Sequence, residues 1–411
     1  MSEDVRASES ADYLALDHYL SDIDTGKSPV AENTPAGDGE WGVLKVSAVQ
    51  EGWFQSRENK VIRDATLIHP RFEVRPGDLL MTRANTEALV GLACIAETPP
   101  PRLMLSDKTL RLVVNEEVAD PAFVALALLR PATRNQVRAM ATGTSAGMKN
   151  ISQRQIRRLM VPRASLDQQR RIVAVHAAFE RRIGALERNL GKLDALRRGL
   201  RDGGVSGPST QLGEVLAEKP KNGYSPSEVQ EWTGLLALGL GCLTSEGFLP
   251  RQLKQIPNSP VARRFRLADG DLLMSRANTR ELVGLAGRYQ DVGQPCIYPD
   301  LMMRLRPDEQ RCLSAYLEMA LASSSVRAAV RAEAHGTSES MVKISAGVVE
   351  ALHIPLPSLE RQREVVEVSA LLDNRIVKQQ AVIAKLRTVQ QGVCEDLLGG
   401  QRAPEPTSSV S

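Results

Sequence analysis

The sequence predicts two globular domains of mixed α/β (α+β) type in tandem, each followed by a long coiled-coil helix, the two helices pairing antiparallel in a pseudo-twofold internal repeat. Three observations carry this: a seventeen-residue motif that occurs twice, a heptad run after each copy, and a proline-marked boundary where each globular part ends.

The repeat organises everything else. Gly77-Asp-Leu-Leu-Met-Thr-Arg-Ala-Asn-Thr-Glu-Ala-Leu-Val-Gly-Leu-Ala93 returns as Gly270-Asp-Leu-Leu-Met-Ser-Arg-Ala-Asn-Thr-Arg-Glu-Leu-Val-Gly-Leu-Ala286, identical at fourteen of seventeen positions. The same offset of 193 residues aligns Ala141-Thr-Gly-Thr-Ser145 with Ala334-His-Gly-Thr-Ser338, Met148 with Met341, and Leu159, Pro162, Leu166 and Gln169 with Leu352, Pro355, Leu359 and Gln362. A period of that length is a whole domain and not a solenoid unit. Upstream, Gly26-Lys-Ser-Pro29 matches Gly223-Tyr-Ser-Pro226, so the halves correspond from their first strands; they differ most over 45–70 and 236–263. The apolar runs 79–82 and 272–275 follow a Gly-Asp turn and read as strands, and 108–114 alternates like another. Residues 121–140 and 314–332 have helical periodicity, with Phe123 and Tyr316 in register.

Each half ends in a heptad pattern. In the first, Ile172, Phe179, Leu186, Leu193 and Leu200 recur every seven residues, with Ile183 and Leu190 interleaved at the 4-3 spacing of a coiled-coil seam. In the second, Val365, Leu372, Leu386 and Val393 hold one seam position and Ile376, Ile383 and Leu397 the other, while Gln379 and Gln390 interrupt it and are placed to fix register. One helix of each kind in the chain makes an intramolecular pair the economical arrangement. Pro162 and Pro355-Leu-Pro357 close the globular parts, and Ser165 and Ser358 stand where an N-cap belongs. The expected organisation is a globular domain over 1–165, a helix over 166–201, a Gly-rich linker over 202–208, a globular domain over 209–358, a helix over 359–398 and a disordered tail over 399–411.

Composition excludes several classes. With 42% hydrophobic and 25% charged residues the chain of 411 is globular, and with no stretch of 18 apolar residues and a polar, acidic start it is expected in the cytoplasm, away from membranes. The five cysteines, Cys94, Cys242, Cys296, Cys312 and Cys394, are far apart, with no C-x-x-C pair, and read as reduced thiols and not as a metal or disulfide framework. The five histidines (His18, His69, His176, His335, His353) are scattered, there is no P-loop and no Asn-Pro-Pro-Tyr-like tetrapeptide, so neither catalytic nor metal-binding residues are assigned.

Net charge is only +3, but its distribution is uneven. Between Pro121 and Leu166 there is no acidic residue, while Arg130, Arg134, Arg138, Lys149, Arg154, Arg157, Arg158 and Arg163 are basic. This reads as a surface for an anion, with phosphate the expected partner. In the second copy of that window Arg327, Arg331 and Lys343 are met by Glu318, Glu333, Glu339 and Glu350.

Taken in order, the Gly-Asp-Leu-Leu-x-x-Arg-Ala-Asn segments, the Gly-Thr-Ser segments leading to Met148 and Met341, and the Pro-x-x-x-Leu-x-x-Gln entry to each heptad helix resemble the specificity subunits of type I restriction-modification systems. The resemblance spans about Leu14 to Leu398 and implies two target-recognition domains, each followed by a conserved helix, in a non-catalytic reader of double-stranded DNA. It further implies two methylation subunits seated on the helices, with motor-nuclease subunits added through the complex. No cofactor is implied for this chain; S-adenosylmethionine, ATP and magnesium belong to the partner subunits. The second copy departs from the first where His335 replaces Thr142, Ser340 replaces Gly147 and Val342-Lys343 replaces Lys149-Asn150, which moves its lysine by one place.

A helix of about 35 residues is roughly 50 Å long, the length of about 15 base pairs, so two domains so spaced suit a split site. Readout must differ between the domains, which makes the divergent segments the expected base readers: Gln50, Gln55, Arg57 and Lys60 in the first, Arg251, Gln252, Lys254 and Gln255 in the second. Residues shared by both copies are better suited to the DNA backbone or to holding the fold. These are Arg83, Asn85, Thr144 and Ser145 and their counterparts Arg276, Asn278, Thr337 and Ser338; the basic side chains Arg130, Arg134, Arg138, Lys149 and Lys343 are further candidates for the backbone by their charge. The competing reading is a coiled-coil scaffold that assembles proteins without sequence-specific DNA binding. It accounts for the helices but not for a duplicated globular domain with one basic face.

Overall fold

The computed structural model describes residues 13–145, 148–204, 206–336 and 341–398. The chain forms two compact units, one made of Met1–Ala185 with Ile383–Ser411, the other of Leu186–Val382.

In the first unit an antiparallel sheet runs in the order Leu20–Thr25, Thr109–Val114, Asp78–Thr82, Ala93–Ala96. Its central strand carries the duplicated Leu-Leu-Met. Alternation sends Leu79 and Met81 into a core with Leu110, Leu112, Phe123 and Val137, and Leu80 to the opposite face with Leu44, Val49 and Cys94. Burial on both faces explains why three consecutive residues are apolar. A second sheet joins Asn59–Val61, Gly42–Leu44 and Leu103–Met104, and a third joins Thr142–Ser145, Met148–Asn150 and Ala84–Asn85.

The second unit repeats this plan with Leu216–Asn222, Met302–Pro307, Leu272–Ser275 and Ala286–Arg288 in its main sheet. Leu253–Gln255, Leu236–Leu238 and Cys296–Ile297 make its second sheet. It adds a short hairpin, Leu243–Thr244 with Gly247–Phe248.

The helical stretch expected over 121–140 is two helices, Pro121–Leu129 and Pro131–Met140. Pro131 forces Arg130 out of the helical region, to ψ 141°. The second copy breaks at the same place without a proline: Ser323 adopts an extended backbone and its hydroxyl donates to the Ala320 carbonyl at 2.7 Å. The long helices are Leu166–Gly203 and Leu359–Leu397. Each is locked to its own domain by a fully buried glutamine. Gln169 Nε2 donates to the Val118 and Ala164 carbonyls (3.0 and 2.9 Å) and its Oε1 accepts from Asp120 N–H at 2.8 Å. Gln362 does the same with Arg311, Pro357 and Leu313, at 2.9, 3.0 and 2.8 Å. The stretch 399–411 lies outside the described residues.

Candidate nucleic-acid interface

The shared motif is mostly fold machinery. Gly77 and Gly270 turn the chain at φ +90° and +85°. The following aspartates meet a half-buried arginine from the adjacent strand: Asp78 with Arg111 at 2.8 Å, Asp271 with Arg304 at 3.3 Å. The Asn85 side-chain oxygen accepts from Thr86 N–H at 2.9 Å, and that of Asn278 from Thr279 N–H at 2.8 Å, so both serve the turn after the strand. Arg83 is exposed and Arg276 half-buried.

Arg134 requires a correction. It is not a surface cation for phosphate: it is 5% exposed, and its guanidinium donates to the carbonyls of Val90 at 2.7 Å and Ala88 at 2.9 Å. Arg327 repeats the arrangement on Val283 and Glu281, both at 2.6 Å. Burial lowers both arginine pKa values, that of Arg327 to about 10, with the neighbouring Arg138 or Arg331 adding to the effect. Gly91 and Gly284, at φ +71°, give these arginines room; a Cβ there would lie 3.2 or 3.1 Å from a guanidinium nitrogen and 2.5 or 2.3 Å from the helix valine beside it. The last glycine of the motif is therefore conformational and steric at once.

Arg130 is likewise engaged inside its unit, donating to the Leu398 carbonyl at 3.3 Å and the Tyr13 hydroxyl at 3.4 Å, which corrects its reading as a phosphate contact. Arg157 pairs with Asp17 at 2.6 Å and Asp22 at 3.4 Å, acids that the acid-free window excludes in sequence but the fold brings alongside. Arg138, Arg154, Arg158 and Arg163 remain exposed.

Lys149 pairs in register with Asn85, and Val342 takes that place opposite Asn278; Asn150 lies opposite Ala84, and Lys343 opposite Ala277. The register is kept, so the one-place shift of the lysine puts it on the other face of the strand. Lys149 Nζ donates to the Gly143 carbonyl at 3.1 Å, whereas Lys343 is exposed. The Thr144 and Ser145 side chains, and Thr337 and Ser338 altogether, lie outside the described residues.

In the divergent segments Arg57 and Arg251 are exposed and Gln55 and Lys60 half-buried. Gln50 donates to the Ser47 carbonyl at 2.6 Å, and Gln252 accepts from Gly241 N–H at 3.0 Å. Lys254 pairs with Glu228 at 3.4 Å. Gln255 is corrected as a base reader through its amide oxygen, which is buried without a hydrogen-bond partner. Sequence reasoning passed over two exposed tryptophans, Trp53 and Trp232, the second of them flanking a divergent segment and the first inside one.

Along the long helices Ile172, Ile183, Leu193, Ile376 and Ile383 are buried, and Phe179, Leu186, Leu190, Leu372 and Leu386 half-buried. Leu397 is exposed and Leu398 buried in its place, a correction at the end of the seam. Within the first unit Gln390 Nε2 donates to Glu180 Oε1 at 2.7 Å. Within the second, Asn189 Nδ2 donates to Gln379 Oε1 at 3.0 Å, and Arg197 lies 3.5 Å from Asp373. His176, 3.9 Å from Glu180, has its pKa lowered by burial, which outweighs the carboxylate. Among the described residues no cluster of histidine, cysteine and acid side chains is placed to hold a metal, and no helix is long and apolar enough to cross a membrane.

No family model matches the chain. By sequence it is similar to the Type I restriction enzyme EcoEI specificity subunit of Escherichia coli, 32% identical over 147 residues, 36% of this chain and 25% of that protein. It is also similar to the putative type I restriction enzyme MjaX specificity subunit of Methanocaldococcus jannaschii, 25% identical over 124 residues, 30% of this chain and 29% of that protein. The chain thus spans under a third of the length of the curated relatives it matches. By fold it is similar to the crystal structure of a type I restriction-modification S subunit from M. genitalium, with TM-score 0.55 and 14% identity over 96% of both chains. A chain from a structure of type I R-M complex assembly and conformational transition gives TM-score 0.59 at 18% identity, over 94% of this chain and 97% of that one. The resemblance drawn from the repeated motifs holds in both comparisons: the sequence relatives are specificity subunits, and the fold is that of an S subunit.

Proposed function

We propose that this chain is the DNA-specificity subunit of a type I restriction-modification complex, non-catalytic in itself. Each domain reads one half of a bipartite double-stranded site. The observation that carries this reading is the division of labour inside the repeat: the residues both copies share hold sheet, turn and helix together, and the exposed cations Arg57 and Arg251 lie in the segments that differ. Two readers of different half-sites need one scaffold and two surfaces.

The long helices set the spacer and seat two methylation subunits, to which motor-nuclease subunits add. Antiparallel pairing is supported by the seam contacts within each unit, where rising numbers on one helix meet falling numbers on the other: 180 with 390, 189 with 379, 197 with 373. At 38 residues the first helix is about 57 Å long, or about 17 base pairs. S-adenosylmethionine, ATP and magnesium act on the partner subunits.

Mapping methylated bases genome-wide, with and without the gene, tests the reading. A bipartite motif that disappears on deletion supports it; methylation that is unchanged while a reconstituted complex with methylation subunits also shows no split-sequence preference rejects it. Adding one heptad to each long helix is expected to lengthen the spacer while leaving both half-sites unaltered, and an unchanged spacer removes the ruler role.

A further inference from the structure

The shared scaffold carries one surface that is not shared. At the root of the first long helix, Arg154 and Arg158 lie one turn apart on the short helix Gln153–Arg157 and its C-cap, Arg163 follows the strand Met160–Pro162, and Arg171 lies in the second turn of the long helix. All four are exposed, and among the described residues none of them makes an ion pair or side-chain hydrogen bond. The equivalent positions of the second copy are Gly347, Ala351, Leu356 and Glu364. Arginines at and just before a helix N-terminus add to its positive end; Asp167 is the acid in that first turn, and four arginines against it leave a net positive patch that favours an anion from outside. Since the second copy folds on the same plan without them, the fold does not require them.

We propose that these four arginines form a sequence-independent clamp on the DNA backbone, present beside the first half-site only. The complex therefore grips its split site asymmetrically, with phosphate contacts near the first half-site that have no counterpart near the second. This rests on the DNA-reading function proposed above. The partner is duplex phosphate: guanidinium groups without carboxylate partners match a row of phosphates, and charge on a protein surface is read by salt dependence.

The test uses the whole chain assembled with its methylation subunits and a duplex bearing the mapped bipartite site. Compared with wild type, R154Q/R158Q/R163Q is expected to lower the slope of log K against log salt by roughly 2 to 3 and to leave the preferred sequence unchanged. Ethylation interference should weaken only beside the first half-site. Lysines at the three positions should restore most of the slope, and an unchanged thermal unfolding curve shows the variant folded. An unaltered slope, or interference lost equally beside both half-sites, overturns the clamp. Loss of complex assembly in the absence of DNA overturns it in favour of a protein partner. Failure of the wild-type complex to prefer any split sequence rejects the underlying reading instead, so the two failures are distinguishable.

Discussion

The two globular domains differ in where their exposed positive charge sits. Both carry exposed arginines in or beside the divergent segment, Arg57 and Arg63 in the first and Arg251, Arg263 and Arg264 in the second, but only the first adds Arg154, Arg158 and Arg163 at the root of its long helix, where the equivalents in the second are uncharged. What the domains keep in common is turned inward: the Asp78–Arg111 and Asp271–Arg304 pairs, the buried Arg134 and Arg327, the buried Gln169 and Gln362. Identity between copies therefore marks the fold, and divergence marks what the surface meets.

The largest expected effect tests the inward half of that comparison. Gly91→Val or Gly284→Val puts a Cβ into Val137 or Val330 at a positive φ and should cost about 3–5 kcal/mol in denaturant unfolding. Gly77→Ala, where a Cβ meets nothing within 4 Å, should cost about 1–2 kcal/mol for its φ alone. Equal costs would mean that packing at Gly91 is irrelevant.

Arg134→Ala strands two loop carbonyls and should destabilise by about 2–4 kcal/mol without altering the salt slope of DNA binding. A lowered slope with intact stability would return Arg134 to the DNA surface. Next in size, Arg57→Ala and Arg251→Ala should each relax one half-site, by about 1–3 kcal/mol of discrimination, and leave the other untouched; methylation of variant sites reads this directly.

The smallest effect is on pH. Burial pushes the thiols of Cys94, Cys296 and Cys312 from the ordinary 9.0 to about 12. The unfolded chain then loses these protons first, so it binds fewer protons than the folded chain between about pH 9 and 12, and stability falls as pH rises through that window. Urea midpoints at pH 8 and 10 measure the fall, and Cys94→Ala should flatten it for the first domain.

Much of the architecture was legible because it is periodic or local. The repeat exposed the second domain, the 4-3 spacing exposed both long helices, and the Gly-Asp turn located the central strands that bury Leu79, Leu80 and Met81. The capping role of Ser165 was legible too: its hydroxyl accepts from Gln168 N–H at 3.4 Å.

Function residues were less legible, since a basic side chain looks the same in sequence whether it faces a phosphate or a carbonyl. Arg134 and Arg138 are one helical turn apart, yet one is buried and the other exposed. Arg157 lies in a window without acids, yet meets Asp17 and Asp22 from 140 and 135 residues away. By itself the sequence determined the duplicated plan, the helices and the segments free to diverge, since these follow from hydrophobic period and turn chemistry along the chain. Only the tertiary structure decided which arginines are spent inside and which remain for a partner, because that depends on loops and acids returned from distant parts of the chain.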